Sequence, residues 1–343
     1  AVWGAVSAAT DETGLFALAG SAVDVGITGY TLGGGLGWLS RKHGLAANHV
    51  LSIELVTPDG VLREIGPSAS PELFWAVRGG AANFGVVTAI EFRLFRCPEV
   101  TAGMFLWPYE RHLEILDAWH RWTGTAPDDI TSVLRIMHFP PLAALPPFLS
   151  GRSVVIIDGV VIGDGAEPIL RDLRALAPEV DTWAPATPQK LSALHMDPTQ
   201  PTAGLSATML LDRLDHGGLE TLAAAIPPGS PLRLAELRHL GGALAQAPDG
   251  AGASGSLPGE YLLCVLGAGS SSSNPAIEPA LEKFLSAMAP YDTGKVFANF
   301  AERPVEASRL FGDVNYRRLQ EIRAVTDPDE VMLAGHPIPL NRP

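Results

Sequence analysis

The 343 residues of the chain are more than one hydrophobic core usually covers, so the length alone favours two domains. Apolar residues make up 47% of the chain and charged residues 18%, a balance that excludes intrinsic disorder. The net charge of −13 argues against nucleic-acid binding, and the lack of a long apolar run excludes a membrane span. The two cysteines, Cys97 and Cys264, cannot build a disulfide framework or a cysteine-rich metal site.

Residues 1–97 alternate short predicted elements with glycine-rich turns. In chain order, we expect a helix at 5–13, strands at 50–57 and 61–65 joined by the turn Pro58-Asp59-Gly60, a helix at 71–77 and a strand at 86–95.

The region from about 101 to 269 has a different pattern of predicted elements. It predicts strands at 104–107, 132–137, 153–162, 232–240 and 261–266, and helices from 108, at 168–176 and at 219–225. A further helix is expected from Pro275, after a capping Asn274, and an amphipathic helix carries Tyr316 and Leu319. Because strands and helices mix without a βαβ rhythm, the fold class is predicted as α+β, with an antiparallel sheet covered by helices on one face.

The glycine segment, residues 26–37, carries the strongest functional signal, with six glycines in twelve residues. Such density lets backbone amides approach a ligand closely, although a buried turn explains it equally well. The segment is not a Walker loop, because Lys-Ser/Thr does not follow its last glycine, and its spacing fails the Rossmann fingerprint.

A second glycine-rich stretch, residues 78–87, precedes the last predicted strand of this part. Its Arg78 would either neutralise a phosphate or form a surface ion pair. Two such loops about fifty residues apart favour an extended cofactor.

Taken together, these motifs resemble the FAD-linked oxidases of the berberine bridge enzyme-like group, within the vanillyl-alcohol oxidase superfamily. The resemblance covers nearly the whole chain and rests on Trp3-Gly4, residues 26–35, Lys42-His43-Gly44-Leu45-Ala46, residues 73–80, residues 83–88, Asn315-Tyr316-Arg317-Arg318-Leu319, Asp327-Pro328 and His336-Pro337-Ile338. It implies a PCMH-type FAD-binding domain, formed by 1–97 with 296–343, and a substrate domain at 98–295.

The resemblance also implies FAD as the cofactor and assigns residues to it. The flavin-lining positions are Val25, Gly26, Gly29, Tyr30, Gly33, Gly35 and Gly37, with backbone contacts from Gly85, Val86 and Val87 and a contact beside the flavin ring from Asn299.

Three departures from the family pattern qualify this expectation. The family's opening subdomain, with its pyrophosphate loop and covalent histidine, has no counterpart in this chain, so we expect residues upstream and weak or absent FAD binding by the 343 residues. Ala22 stands where bicovalent members carry the attaching cysteine. Phe300 stands where several members carry a tyrosine general base.

The general base must therefore come from elsewhere, and His239 and His195 are the candidates. His195 lies two residues before Asp197, and His239 follows Glu236 and Arg238 on a predicted strand that puts those two on one face and His239 on the other. A structural role for either histidine, or for Asp158 in its apolar strand, competes with the catalytic one. The isolated His-x-Asp spacing predicts no metal site.

The sequence thus predicts an FAD-dependent oxidase that passes a hydride from a small alcohol, sugar or amine to flavin N5, with O₂ as electron acceptor and neither nucleic acid nor membrane as partner. The alternatives are a catalytically inactive remnant that acts as a binding or interaction protein and, less well supported by the closing segment, a sugar-nucleotide reductase. A cytoplasmic location is expected, because no signal-peptide pattern is visible.

Overall fold

The computed structural model describes residues 1–97, 99–143, 145–198, 202–270, 272–303 and 305–340. The strands, in chain order, are Leu15–Phe16 (β1), Val50–Val56 (β2), Leu62–Ile65 (β3), Val86–Phe92 (β4), Phe95–Arg96 (β5), Val100–Pro108 (β6), Ile130–His138 (β7), Ser153–Ile162 (β8), Val180–Asp181 (β9), Ala184–Pro185 (β10), Gly204–Leu211 (β11), Leu232–His239 (β12) and Tyr261–Ala268 (β13). The helices are Trp3–Thr10 (α1), Ile27–Leu32 (α2), Ser40–His43 (α3), Pro71–Gly80 (α4), His112–Thr123 (α5), Ala166–Arg174 (α6), Pro188–Ala193 (α7), His216–Ala224 (α8), Ile277–Met288 (α9) and Ala307–Thr326 (α10).

The centre of the fold is a large antiparallel sheet. Its strand order is β10-β6-β8-β7-β12-β13-β11, with β9 also pairing with β6. The inner strands are covered on both faces, so β8 is a nearly continuous apolar run rather than an alternating one. Its one charged residue, Asp158, lies opposite Met104 of β6 and Val133 of β7.

Helices α5, α6, α8 and α9 cover one face of this sheet. Helix α5 is amphipathic and buries Ile115, Leu116, Trp119 and Trp122 at helical spacing. These side chains join the main apolar core with residues of the other three helices and of the sheet. The predicted α+β class, with helices on one face of an antiparallel sheet, is confirmed.

A smaller three-stranded sheet, in the order β3-β2-β4, packs with α4 and α10. Buried Ile53, Phe74 and Leu319 bring together one residue from the sheet and one from each helix. The C-terminal helix thereby lies against the first part of the chain. The division into 1–97 with 296–343 and 98–295 stays a prediction, and residues 98 and 341–343 at its edges lie outside the described residues.

Within the described ranges, the helices fall short of the combined length and hydrophobicity that a bilayer-spanning helix needs.

Candidate functional site

The glycine segment lies across the face of the large sheet opposite the helices. Tyr30 belongs to one apolar cluster with Val133 and Val160, and Leu36 to another with Leu262. Tyr30 also meets Trp3 edge to face, with the ring centres 5.5 Å apart. The segment is therefore packed between the start of the chain and the sheet.

The glycines of the segment fall into two groups. A Cβ added at Gly37 would lie 1.9 Å from the carbonyl oxygen of Ala19, so this position needs glycine for close packing. An added Cβ at Gly26 or Gly29 would instead meet no described atom within 4 Å. Val25 precedes these two and is 38% exposed. The open side of Gly26 and Gly29 is therefore the part of the segment that a ligand can approach.

Asn299 ties the closing part of the chain to this segment. Its side-chain amide donates to the carbonyl oxygen of Tyr30 at 3.0 Å, and its Oδ1 accepts from the backbone N–H of Gly35 at 2.9 Å. A Cβ at Gly33 would lie 2.6 Å from Asn299 Nδ2, which explains the glycine there. Asn299 thus orders the glycine segment, and its contact with flavin stays a prediction.

Arg78 lies where helix α4 changes direction. Its side chain is buried, with Nε donating to the carbonyl of Phe74 at 3.1 Å and Nη2 donating to that of Gly250 at 2.8 Å. Burial lowers the pKa of Arg78 to about 10. The surface ion pair considered for Arg78 is wrong, because its guanidinium is buried and donates to the carbonyl groups of Phe74 and Gly250.

Gly85, Val86 and Val87 lead into strand β4. A Cβ at Gly85 would lie 2.5 Å from the carbonyl oxygen of Val56, so glycine permits the pairing with β2. Val86 is 60% exposed, and its backbone lies at the start of the strand. The cofactor contacts of these three residues stay predictions.

The two glycine-rich stretches meet around a cavity of about 150 Å³. Its lining includes Gly29 and Gly33 from the first stretch, Asn83 from the second, and Asn299 and His336 from the closing part. The Nδ1 atom of His336 has no hydrogen-bond partner among the described residues. Small-molecule sites usually have about 300–1,000 Å³, so this cavity is smaller than a site that encloses a whole ligand.

A buried ion cluster, formed by Arg135, Asp158, His195, Glu236 and Arg238, lies on the same side of the large sheet as the glycine segment. His195 Nδ1 lies 2.9 Å from Asp158 Oδ2, and His195 Nε2 lies 2.8 Å from Glu236 Oε2. Arg135 donates to Asp158, and Arg238 donates to Glu236. Strands β8, β7 and β12 are neighbours, which is why residues distant in sequence meet here.

Both ring nitrogens of His195 lie within hydrogen-bond distance of carboxylates, and these favour the protonated imidazole. Burial and Arg135 lower the pKa of His195, but the two carboxylates outweigh them and raise it above the usual 6.5. Glu236 is also buried, yet Arg238 and His195 hold its pKa below the usual range. Both ring nitrogens are engaged by protein groups in this arrangement, and a base role for His195 stays a prediction.

The raised pKa of His195 predicts a pH effect on stability. Protonated His195 stabilises the fold fully below its unfolded pKa of 6.5, and this contribution is lost as the pH rises through the folded-state value. We expect the difference in unfolding free energy between the parent protein and His195→Gln to be largest below pH 6.5 and to shrink above it. Urea unfolding at a series of pH values measures this difference, and a pH-independent difference would contradict the assignment.

His239 points to the opposite side of β12. Its ring centre lies 6.4 Å from that of Trp119 in α5 and 6.1 Å from that of Tyr261. Burial and Arg41 lower the pKa of His239 to about 3, so the imidazole is neutral. The structure therefore separates the two candidate bases by the sheet, and the base role of His239 stays a prediction.

Phe300 lies next to the ion cluster. The guanidinium carbon of Arg238 is 5.1 Å from the Phe300 ring centre, and Thr208 donates to the Phe300 carbonyl at 3.0 Å. Phe300, at the position where several members of the predicted family carry a tyrosine, therefore packs its ring against the Arg238 guanidinium.

Sequence reasoning missed Arg135 as a member of this cluster. A charged residue in the apolar strand β7 was the available signal, as Asp158 is in β8. Metal ligation is not indicated, because the part of the chain that the structure describes contains no group of three or more His, Cys, Asp and Glu side chains placed to hold an ion.

Comparison with known proteins supports an FAD-related fold. A sequence-family model described as an FAD binding domain matches residues 1–66. The wild-type BBE-like 1 protein of Physcomitrella patens superposes with a TM-score of 0.80 at 21% identity, over 100% of this chain and 76% of that one. The chain has the berberine bridge enzyme-like fold. A variant of berberine bridge enzyme described as a reticuline dehydrogenase has the same fold, with a TM-score of 0.81 at 20% identity, over 99% of this chain and 76% of that one.

Sequence relatives of this chain carry FAD-linked names. (R)-6-hydroxynicotine oxidase of Paenarthrobacter nicotinovorans is 44% identical over 95 residues, 27% of this chain and 21% of the relative. The FAD-linked oxidoreductase YvdP of Bacillus subtilis strain 168 is 25% identical over 350 residues, 96% of this chain and 74% of the relative. The chain spans 21–28% of the length of the more identical relatives. The resemblance predicted from sequence is confirmed, and the family names support FAD as cofactor.

Proposed function

We propose that this protein is an FAD-dependent oxidoreductase, an oxidase that acts on a small-molecule alcohol, sugar or amine. One observation carries the proposal. Two glycine-rich stretches about fifty residues apart and Asn299 line the same cavity, and the first stretch falls within the matched FAD binding domain.

Backbone groups supply most of the proposed cofactor site. Gly26 and Gly29 offer an open face, and Gly85, Val86 and Val87 offer backbone atoms at the start of β4. When bound, FAD supplies the acceptor for a hydride from substrate carbon, with O₂ as the final oxidant.

The residues around the sheet face supply positioning and charge. Asn299 holds the glycine segment in place, and Arg238 brings a positive charge to the Phe300 ring. Since the Phe300 ring carries no ionisable group, the substrate proton requires another acceptor. Of the two proposed candidates, His195 and His239, only His195 lies on the side of the sheet that carries the glycine segment.

The names of relatives indicate the range of substrates to test. They include the (R)-6-hydroxynicotine oxidase above, a xylooligosaccharide oxidase from Thermothelomyces thermophilus and a chitooligosaccharide oxidase. An amine and two classes of sugar are therefore the first substrates for a peroxide-release assay.

Substitution at Gly29 tests the cofactor site. Gly29 is exposed within α2, and an added Cβ meets open space, so Gly29→Leu is expected to fold but to fill the face proposed for FAD. We expect the 343-residue protein to bind FAD weakly at best, and Gly29→Leu to weaken that binding at least tenfold. Titration followed by flavin fluorescence measures both affinities.

Gly165→Leu is the matched control. Gly165 precedes α6 with φ −85°, and its added Cβ makes only an ordinary contact with Ile169 at 3.8 Å. This variant should bind FAD like the parent protein. Equal FAD binding by Gly29→Leu and the parent protein would move the site elsewhere.

A further inference from the structure

A second, larger cavity of about 550 Å³ lies where strand β12 and helix α5 both end. Its lining includes His120, Thr123, Arg213, His239 and Tyr261. None of the described residues lines both this cavity and the one between the glycine-rich stretches. Its volume lies in the range of about 300–1,000 Å³ that is usual for small-molecule sites.

Hydrogen-bonding side chains are concentrated on one wall. The Tyr261 hydroxyl lies 2.5 Å from Thr123 Oγ1 and 3.0 Å from His120 Nδ1. His239 packs beside Tyr261 and is 8% exposed, and its Nδ1 has no hydrogen-bond partner among the described residues. A buried ring nitrogen without a hydrogen-bond partner lowers the stability of the fold, so the Nδ1 atom of His239 is a group that a ligand could satisfy.

The charged groups of the lining are largely balanced. Arg41 is saturated by protein, since it donates to the carbonyls of Leu240 at 2.8 Å and Ile130 at 2.6 Å and pairs with Asp128. The lining also contains two further arginines, Arg121 and Arg213, and two carboxylates, Asp215 and Glu260, so these four charges sum to zero. The cavity therefore offers no excess charge that would select an anion or a cation.

The chemistry of this wall selects hydroxyl groups. Tyrosine and threonine hydroxyls and a neutral imidazole each combine donor and acceptor capacity, as ligand hydroxyl groups do. Burial keeps His239 neutral, as described above. Gly241 adds an open backbone position in the same lining, because an added Cβ there would meet no described atom within 4 Å.

We propose that this cavity binds a small neutral polyhydroxylated molecule, of the size of a monosaccharide or disaccharide. The site is distinct from the proposed cofactor site and does not depend on it. Hydrogen bonds to His239 and Tyr261 hold the ligand hydroxyls.

Calorimetric titration of the 343-residue protein with glucose, xylose and cellobiose tests the proposal. At least one sugar is expected to bind saturably, with an affinity about tenfold lower in His239→Leu. The melting temperature of His239→Leu should equal or exceed that of the parent protein, because the substitution removes an unpaired buried nitrogen. Tyr261→Phe removes only a hydroxyl and should also weaken binding, so it carries the test if His239→Leu does not fold.

Gly29→Leu separates this site from the cofactor site, and it should bind the sugar like the parent protein. The proposal is overturned if none of the three sugars binds, or if inorganic phosphate binds in their place. It is also overturned if His239→Leu and Tyr261→Phe both bind the sugar with parental affinity, or if Gly29→Leu alone abolishes binding.

Discussion

Glu236→Gln is expected to lower the free energy of unfolding by about 3–5 kcal/mol, because it removes one partner from a buried ion pair. Glu236 is 3% exposed and bonds both His195 and Arg238. Glutamine keeps the shape of the side chain but leaves the Arg238 guanidinium facing a neutral amide. Urea unfolding of the variant and the parent protein at pH 7 measures the loss.

The matched control is an exposed ion pair with similar chemistry. Glu72 pairs with Arg318 at 2.8 Å, with 64% of its side chain exposed. Exposed pairs contribute about 0–1 kcal/mol, so Glu72→Gln should change stability little. Equal losses in the two variants would mean that the buried ion cluster does not stabilise the fold through its charges.

Gly37→Ala is expected to destabilise the protein by about 3 kcal/mol or more, because the new methyl group has no room. Its Cβ would lie 1.9 Å from the backbone oxygen of Ala19 and 3.0 Å from the Tyr30 hydroxyl. A backbone oxygen cannot rotate aside as a side chain can, so the glycine segment must move off the sheet. Thermal unfolding and proteolysis measure the effect.

Gly29→Ala provides the comparison from the same segment. Gly29 lies inside α2 with open space around it, and alanine favours a helix over glycine by about 1 kcal/mol. This variant should be as stable as the parent protein or more so. A Gly37→Ala protein with parental stability would show that the close approach at Ala19 is relaxed in solution.

The strands of the large sheet were the most predictable part of the fold. The strand predicted at 153–162 matches β8 to the residue, since a long apolar run bounded by turns has few alternatives. Strand β11 was not predicted, and α9 begins at Ile277 rather than Pro275. Helix α2 was not predicted, because glycines surround it and lower its helix propensity. Its six residues depend on packing, such as that of Tyr30 against Trp3, rather than on helix propensity.

The site was less predictable than the fold, for a topological reason. Alternation places Glu236 and Arg238 on one face of β12, but it does not say that β7 pairs with β12 on one side and with β8 on the other. Arg135 and Asp158 therefore reach Glu236 and His195 only through a strand order that the sequence does not show. The resemblance identified the glycine positions. Which of these glycines are closely packed and which are open could be read only from the atoms around each one in the structure.

The bond from Asn299 to Gly35 joins residues 264 positions apart and has a consequence for synthesis. The glycine segment leaves the ribosome long before the residue that anchors it exists. At about 5–20 residues per second, the segment waits roughly 15–50 s for its anchor. During that interval the Gly35 amide lacks its Asn299 acceptor, so the proposed cofactor surface is completed only after residue 299 has been synthesised.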